Sequence, residues 1–212
     1  LRCLVITGSG NTFCGGADLK SSIVSDGTVL SPDVLMDFYR PFLSVGLLKM
    51  PVIAAINGHA IGGGFGLALL CDIRIVNFEA RLGANFARLG IHSGMAVSYI
   101  LPRLVGISQA CELLFTGKII TGDQAARIGL ASAALHEDQV LDRALSLAHE
   151  IAQSAPVAVQ MMKQSIYSQL DWNPIRAAGH EAEYQARTFE TRDAKEGIAA
   201  LLEKRPPQFA GE

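Results

Sequence analysis

Charge is what this chain has least of. Asp, Glu, Lys and Arg make up 18% of its 212 residues, against ~25% in an ordinary soluble domain. The 18 Lys and Arg are scattered, and net charge is −2 with a pI near 6.2, so the basic footprint of a nucleic-acid binder is missing. Cysteine is sparse as well. Cys3, Cys14, Cys71 and Cys111 form no C-x-x-C pair and show no metal-ligand spacing with histidine, which argues against a metal site and for a reducing compartment. Two phosphate and nucleophile signatures are also absent: there is no G-x-x-x-x-G-K-[ST] loop and no G-x-S-x-G elbow. Gly8-Ser9-Gly10 follows a strand pattern, but a dinucleotide fingerprint needs its third glycine at position 13, which is Phe13.

Charge vanishes entirely between residues 50 and 71, MPVIAAINGHAIGGGFGLALLC, a length that would cross a bilayer if it were one apolar helix. Pro51, Asn57, Gly58, His59 and four further glycines interrupt it. A strand, a tight turn and a buried helix are expected instead of a membrane span.

Apolar residues and glycine are what the chain has in quantity. Half of it is hydrophobic, mean hydropathy is +0.29, and 21 residues are Gly, which excludes intrinsic disorder. Few charges on so apolar a chain predict either a large core or, the favoured reading, apolar surface hidden in an oligomer, since lone domains avoid large exposed apolar patches.

The periodicities alternate strand and helix. RCLVIT (2–7), VIAAI (52–56) and DIRIV (72–76) read as buried strands. Ser31-Pro32-Asp33 opens a helix whose Leu35, Phe38, Phe42 and Val45 recur at helical spacing, after a Ser/Gly loop reaching about residue 30. NGHA (57–60) reads as a turn and GGGFGLALLC as a glycine-opened helix. Residues 95–105 and 109–115 read as helices, Thr121 with Gln124 as a capping box, and Val140, Ala144, Leu147 and Ile151 as an apolar stripe. Pro156 suits a helix first turn, and Asp193 with Glu196 reads as the opening of a helix that Pro206-Pro207 ends. The class is α/β. The chain begins at Leu1 inside a strand pattern, so a preceding portion, with any targeting segment, is expected.

Two segments carry chemistry: FCGGADLK (13–20) and AIGGGFGLALLCD (60–72). Glycines before a helix let a ligand approach backbone N–H groups that the helix cannot satisfy. Two such loops facing one another would favour negative charge on an oxygen. The competing reading is that these glycines only let strand and helix pack closely.

In this order, with KMPVIAAINGHAIGGG between them and CDIRIV, LPRLVG, LLFTGKIITGDQAARIGLA and DAKEGIAALLEKRPPQF beyond, the segments resemble the enoyl-CoA hydratase/isomerase (crotonase) superfamily over nearly the whole chain. The resemblance implies a spiral of ββα units, residues 1–136, lacking its first ββα portion, and a helical C-terminal region, 137–212, that packs trimers, often paired into hexamers. It implies an acyl-CoA thioester as ligand, no cofactor beyond the CoA moiety, no metal, no nucleic acid and no membrane partner; the expected compartment is cytoplasmic. Matched by motif, the oxyanion-hole amides are those of Gly15 and Gly63. Ala17, Asp18, Leu19 and Lys20 match the stretch that cradles the CoA adenine and phosphates. Lys204 and Phe209 match the tail that covers CoA from a neighbouring subunit.

The family pattern also breaks here. Hydratases of the family use two glutamates for acid–base work, and those positions are Gly66 and Phe86. The aspartate of isomerase-like and dehalogenase-like members falls at Gly94. Gly66 and Gly94 are expected to leave room in the acyl pocket, with Phe86 as an aromatic wall. His92, on the loop that carries the acidic residue elsewhere, is the candidate acid or base for an isomerase, decarboxylase or thioester hydrolase. A catalytically silent acyl-CoA-binding subunit is the alternative from another class. His59, Cys14, Asp72, Arg88, Tyr99 and Arg103 are read as structural.

Overall fold

Strands in this protein come in pairs, and the two members of each pair belong to different sheets. A computed structural model describes residues 1–17, 32–168 and 191–211. Strands β1 (Leu4–Thr7), β3 (Val52–Ile56), β5 (Ile73–Asn77) and β8 (Ala133–Leu135) lie side by side in that order. Strands β2 (Thr12–Cys14), β4 (His59–Ile61), β6 (Arg81–Gly83) and β7 (Ile120–Thr121) form the second sheet, also in that order. Pairing is parallel between β3 and β5 (Ile53↔Ile73 to Ile56↔Val76), between β2 and β4 (Cys14↔Ala60) and between β4 and β6, whereas β6 and β7 run antiparallel. Each of the first three ββ steps thus advances one position in both sheets, and the helices that follow return the chain for the next; between β7 and β8 a short helix intervenes. This is the expected spiral of ββα units.

The strand sequences explain the burial. All five residues of β3, VIAAI, are buried, the near-continuous apolar run of a parallel strand covered on both faces. Polar side chains hold the joints. Asn57 accepts from Gly8 N (3.0 Å) and donates to the Gly10 carbonyl (2.7 Å), so the Gly8–Gly10 loop is a fastened strand connection. Asp72 Oδ2 accepts from Val52 N (2.7 Å) while Asp72 N donates to Val52 O (2.9 Å), which is the structural role expected of Asp72. His59 accepts from Arg81 N at Nδ1 (3.1 Å). The NGHA segment is only partly a turn, because His59 and Ala60 start β4; three residues are too few to show alternation.

Helices α1 (Pro32–Leu43), α2 (Gly63–Leu70), α3 (Val97–Val105), α4 (Ile107–Thr116) and α5 (Gly122–Arg127) follow the strands, with 3-10 turns at Ser44–Leu47 and Asn85–Leu89. The capping box at α5 is present in both directions, Gln124 N to Thr121 Oγ1 (3.2 Å) and Thr121 N to Gln124 Oε1 (3.0 Å). The chain then continues into α6 (Glu137–Ala152), which buries Val140 and Ala144, α7 (Pro156–Ser168) and α8 (Arg192–Glu203). Ser31 and the Ser/Gly loop to residue 30 lie outside the described residues. No helix among those described is long and apolar enough to cross a membrane; residues 50–71 are β3, β4 and α2.

The chain divides into two compact units. One comprises Val5–Leu48 and Val52–Leu145; the other comprises Leu1–Leu4, Lys49–Pro51 and Ser146–Glu212. In the latter, the buried Lys163 donates to Met50 O (3.0 Å), and Arg2 donates to the carbonyls of Ala152 (2.8 Å) and Phe209. Asp193, 2% exposed, accepts from Ala210 N (2.7 Å) and Gly211 N (2.8 Å). It is not the helix cap that its spacing to Glu196 suggests: Thr191 Oγ1 takes the cap bond from Ala194 N (3.1 Å). A carboxylate facing two free amides of a returning tail is better satisfied there than by its own helix.

Candidate active site

The two glycine segments meet at the N-terminus of α2. Strand β2 ends at Cys14 and its chain continues through Gly15 and Gly16, while β4 ends at Ile61 and turns through Gly62 into α2. Gly62 holds φ 57°, ψ −119°, a backbone open to glycine and strained for other residues. Its N–H donates to Gly83 O (2.9 Å), tying the turn to β6. Gly16 is also left-handed (φ 84°), and a Cβ on it would fall 2.7 Å from Ile61 O and 3.1 Å from Gly63 N. A Cβ on Gly64 would strike the Cys14 carbonyl, with Cys14 Cβ at 2.8 Å.

The close-packing reading therefore holds for Gly16 and Gly64. Gly15 and Gly63 are different. A Cβ on Gly15 would meet nothing within 4 Å, and one on Gly63 would meet only Gly16 Cα (3.8 Å) and Met95 Cγ (4.0 Å). The side-chain direction at these two positions is free of close contact. The first N–H groups of α2, beginning at Gly63, have no acceptor within their own helix.

The opposite end of α2 is closed by a charge that sequence reading passes over. Arg74, 6% exposed on β5, donates Nε to Leu130 O (2.7 Å), Nη1 to Ala68 O (3.5 Å) and to Cys71 O, and Nη2 to Asp72 O (3.3 Å). The last-turn carbonyls thereby find a cation, the favourable partner at a helix C-terminus. The signal was a lone arginine inside the apolar run DIRIV.

The expected acyl-pocket positions are not the open spaces foreseen. A Cβ on the buried Gly66 would lie 2.5 Å from Met95 Cβ and 3.4 Å from Val97 Cγ2. A Cβ on Gly94 would overlap the Tyr39 hydroxyl, with Tyr39 Cζ at 2.9 Å. Side chains distant in sequence occupy both places. Met95 is 2% exposed and left-handed (φ 55°), as is Ala96 (φ 56°), a conformation costly for residues with side chains. Phe86, half-buried on the 3-10 turn, brings Cζ to 4.0 Å from a Cβ on Gly62, so its ring borders the glycine turn.

His92 is exposed, and its Nδ1 lies 2.7 Å from Ser93 O. A carbonyl only accepts, so Nδ1 carries the proton and Nε2 is the basic nitrogen of the neutral ring. Of the CoA-cradle stretch, Ala17 is half-buried, and Asp18, Leu19 and Lys20 lie outside the described residues. Lys204 is exposed at φ 55° after α8. Phe209 sets its ring 3.4 Å from where Gly197 would carry a Cβ. No group of three His, Cys, Asp or Glu among the described residues is placed to hold a metal.

Comparison with known proteins gives one consistent match. The family model described as enoyl-CoA hydratase/isomerase matches residues 1–212. A probable enoyl-CoA hydratase of Bacillus subtilis is 38% identical over 213 residues, covering 100% of this chain and 83% of that protein. The mouse mitochondrial methylglutaconyl-CoA hydratase is 36% identical over 204 residues, 94% of this chain and 65% of its own length. Among solved structures, the enoyl-CoA hydratase of Bacillus anthracis superposes with a TM-score of 0.94 at 34% identity, covering 100% of this chain and 82% of that one.

Proposed function

The chain belongs to the enoyl-CoA hydratase/isomerase family, and from that premise we propose that it binds an acyl-CoA thioester and stabilises the thioester enolate between the amides of Gly15 and Gly63. The observation that carries this reading is the meeting of the two glycine turns. Gly16 and Gly64 are locked by contact with backbone, whereas Gly15 and Gly63 stay open. A preorganised pair of N–H donors at a helix N-terminus matches an oxygen that gains negative charge.

The hydratase carboxylates are absent at Gly66 and Phe86, and the aspartate is absent at Gly94. Proton transfer at this site therefore falls to another group, with His92 the candidate for isomerisation, decarboxylation or thioester hydrolysis. A silent acyl-CoA-binding subunit is the second reading, favoured by the filling of positions 66 and 94 by Met95 and Tyr39. Asp18, Leu19, Lys20 and Ala17 would cradle the CoA nucleotide, and Lys204 and Phe209 would cover it in a neighbouring subunit. Assembly would be a trimer or hexamer through region 137–212, in the cytoplasm, with no cofactor beyond the CoA moiety.

The test is a mass-spectrometric screen of the protein against saturated, enoyl and carboxylated acyl-CoAs, recording bound ligand and new product together. A product lighter by carbon dioxide, an isomer, or free CoA selects among the enzyme readings. A product heavier by water shows hydration without the family's glutamates. Binding without product selects the silent subunit, and no binding rejects the ligand class.

A further inference from the structure

We infer that the side-chain amide of Asn85 is a specificity determinant that reads a neutral oxygen, a hydroxyl or an oxo group, on the acyl chain of the bound thioester. The role rests on the acyl-CoA reading above. Asn85 opens the 3-10 turn that follows β6. The second sheet registers this segment against the glycine turn, with Ile61 paired to Gly83 and Gly62 N donating to Gly83 O (2.9 Å). Beyond its own chain neighbours, only two atoms come within 4 Å of a Cβ on Gly62: Asn85 Oδ1 at 3.9 Å and Phe86 Cζ at 4.0 Å. One carbonyl carbon separates Gly62 Cα from Gly63 N, so bond lengths alone keep Asn85 Oδ1 within ~8 Å of that proposed donor. The third and fourth carbons of an acyl chain held by its carbonyl on Gly63 lie at that range.

The amide is unspent. Asn85 is half-buried and makes no hydrogen bond with any described residue. Among those residues every fully buried side-chain nitrogen or oxygen has a partner, so the Asn85 amide opens onto accessible space. The other side chains at the turn are apolar: Phe86 beside Gly62, Met95 beside Gly63, and Met95 with Val97 beside Gly66. Asn85 supplies the one polar side-chain group in this set. An amide that gives up water to an alkyl chain loses hydrogen bonds that these neighbours do not replace, whereas an oxygen on the chain restores one. A carboxylate fits less well, because a desolvated charge calls for a cation and the set holds none.

Substitutions separate recognition from scaffolding. An amide both donates and accepts, so it serves a hydroxyl and an oxo group alike. Asn85→Asp keeps the acceptor and loses both donors, so it still holds a hydroxyl and repels an oxo group. Asn85→Leu keeps similar bulk and loses both functions. A residue that only shaped the turn would move every ligand together.

The experiment measures Kd by calorimetry for pentanoyl-CoA and for its 3-hydroxy, 4-hydroxy and 4-oxo derivatives, each hydroxy compound as both enantiomers. Wild type is expected to bind at least one oxygenated derivative about 3–10-fold tighter than pentanoyl-CoA, the range of one neutral hydrogen bond. Asn85→Leu is expected to keep the pentanoyl-CoA Kd and lose the preference. Asn85→Asp is expected to keep a preference for hydroxyl and to bind the 4-oxo derivative no better than pentanoyl-CoA. If Asn85→Leu fails to fold, Asn85→Asp carries the test by itself, since hydroxyl and oxo must separate. A wild type that favours no derivative, a preference that survives in Asn85→Leu, or hydroxyl and oxo responding alike to Asn85→Asp overturns the proposal. Thioesters bound without preference reject the role of Asn85 alone; a wild type that binds none of the four rejects the acyl-CoA reading and this one with it.

Discussion

Met95 stands where a side chain at Gly66 would have to go, its Cβ 2.5 Å from the position of a Cβ on that glycine. The absence of a side chain at 66 is therefore tied to a packing choice elsewhere. A left-handed Met95–Ala96 pair brings an apolar side chain onto α2 and closes the space. Refilling position 66 alone works against that packing.

For this reason Gly66→Glu with Phe86→Glu is expected to lose stability without gaining hydration. Overpacking of a filled core costs typically ~1–3 kcal/mol. Adding Met95→Gly is expected to recover part of the loss, because it removes the Cβ in the way and suits the left-handed backbone there. Thermal melting of the double and triple variants, with an enoyl-CoA hydration assay on each, checks both statements.

Gly63→Pro removes one N–H while keeping a residue suited to the first helical position. Turnover of an accepted thioester is expected to fall by about 10²–10³-fold. Steady-state kinetics on the product found by the screen measures it, and equal rates would reject Gly63 as a donor.

His92→Ala is expected to leave the melting temperature nearly unchanged, since exposed substitutions usually stay within about 0.5 kcal/mol and among the described residues the ring bonds only the next carbonyl. Turnover against pH is then the discriminating measurement. A lost titration limb gives His92 a proton-transfer role, and an unchanged profile makes it scaffold.

Glu196 accepts from Nη1 and Nη2 of Arg205 (2.6 and 2.9 Å) and from the N–H of Gln208 (2.8 Å). The Arg205 hydrogen bonds, then the Gln208 amide, lower its pKa to about 2, and Arg205 is raised in turn. A depressed acid stabilises the fold above its unfolded pKa, ~4.3, and that contribution disappears as pH falls towards 2. Glu196→Gln is expected to lower stability at pH 7 and flatten the acid dependence between those values. Denaturant titrations at a series of pH values test this.

Residues adjacent in sequence determined much of this protein. Three apolar runs specified strands, two of them buried (Val52–Ile56 and most of Ile73–Asn77) and the first, Leu4–Thr7, half-buried to exposed; Thr121 and Gln124 specified a capping box and the two glycine segments specified chain turns, because each depends on backbone chemistry within a few residues. Strand β4 was obscured, since three residues of a mixed turn carry no period. Which glycines serve packing and which remain open was decided only by the tertiary structure. Gly16 and Gly64 meet backbone from a neighbouring segment, and Gly15 and Gly63 do not. The same holds for the spaces at Gly66 and Gly94. An absent side chain reads as room, but close-packed interiors fill such room from whatever element lies nearest. Here that element is the loop bearing Met95 in one case and α1 bearing Tyr39 in the other.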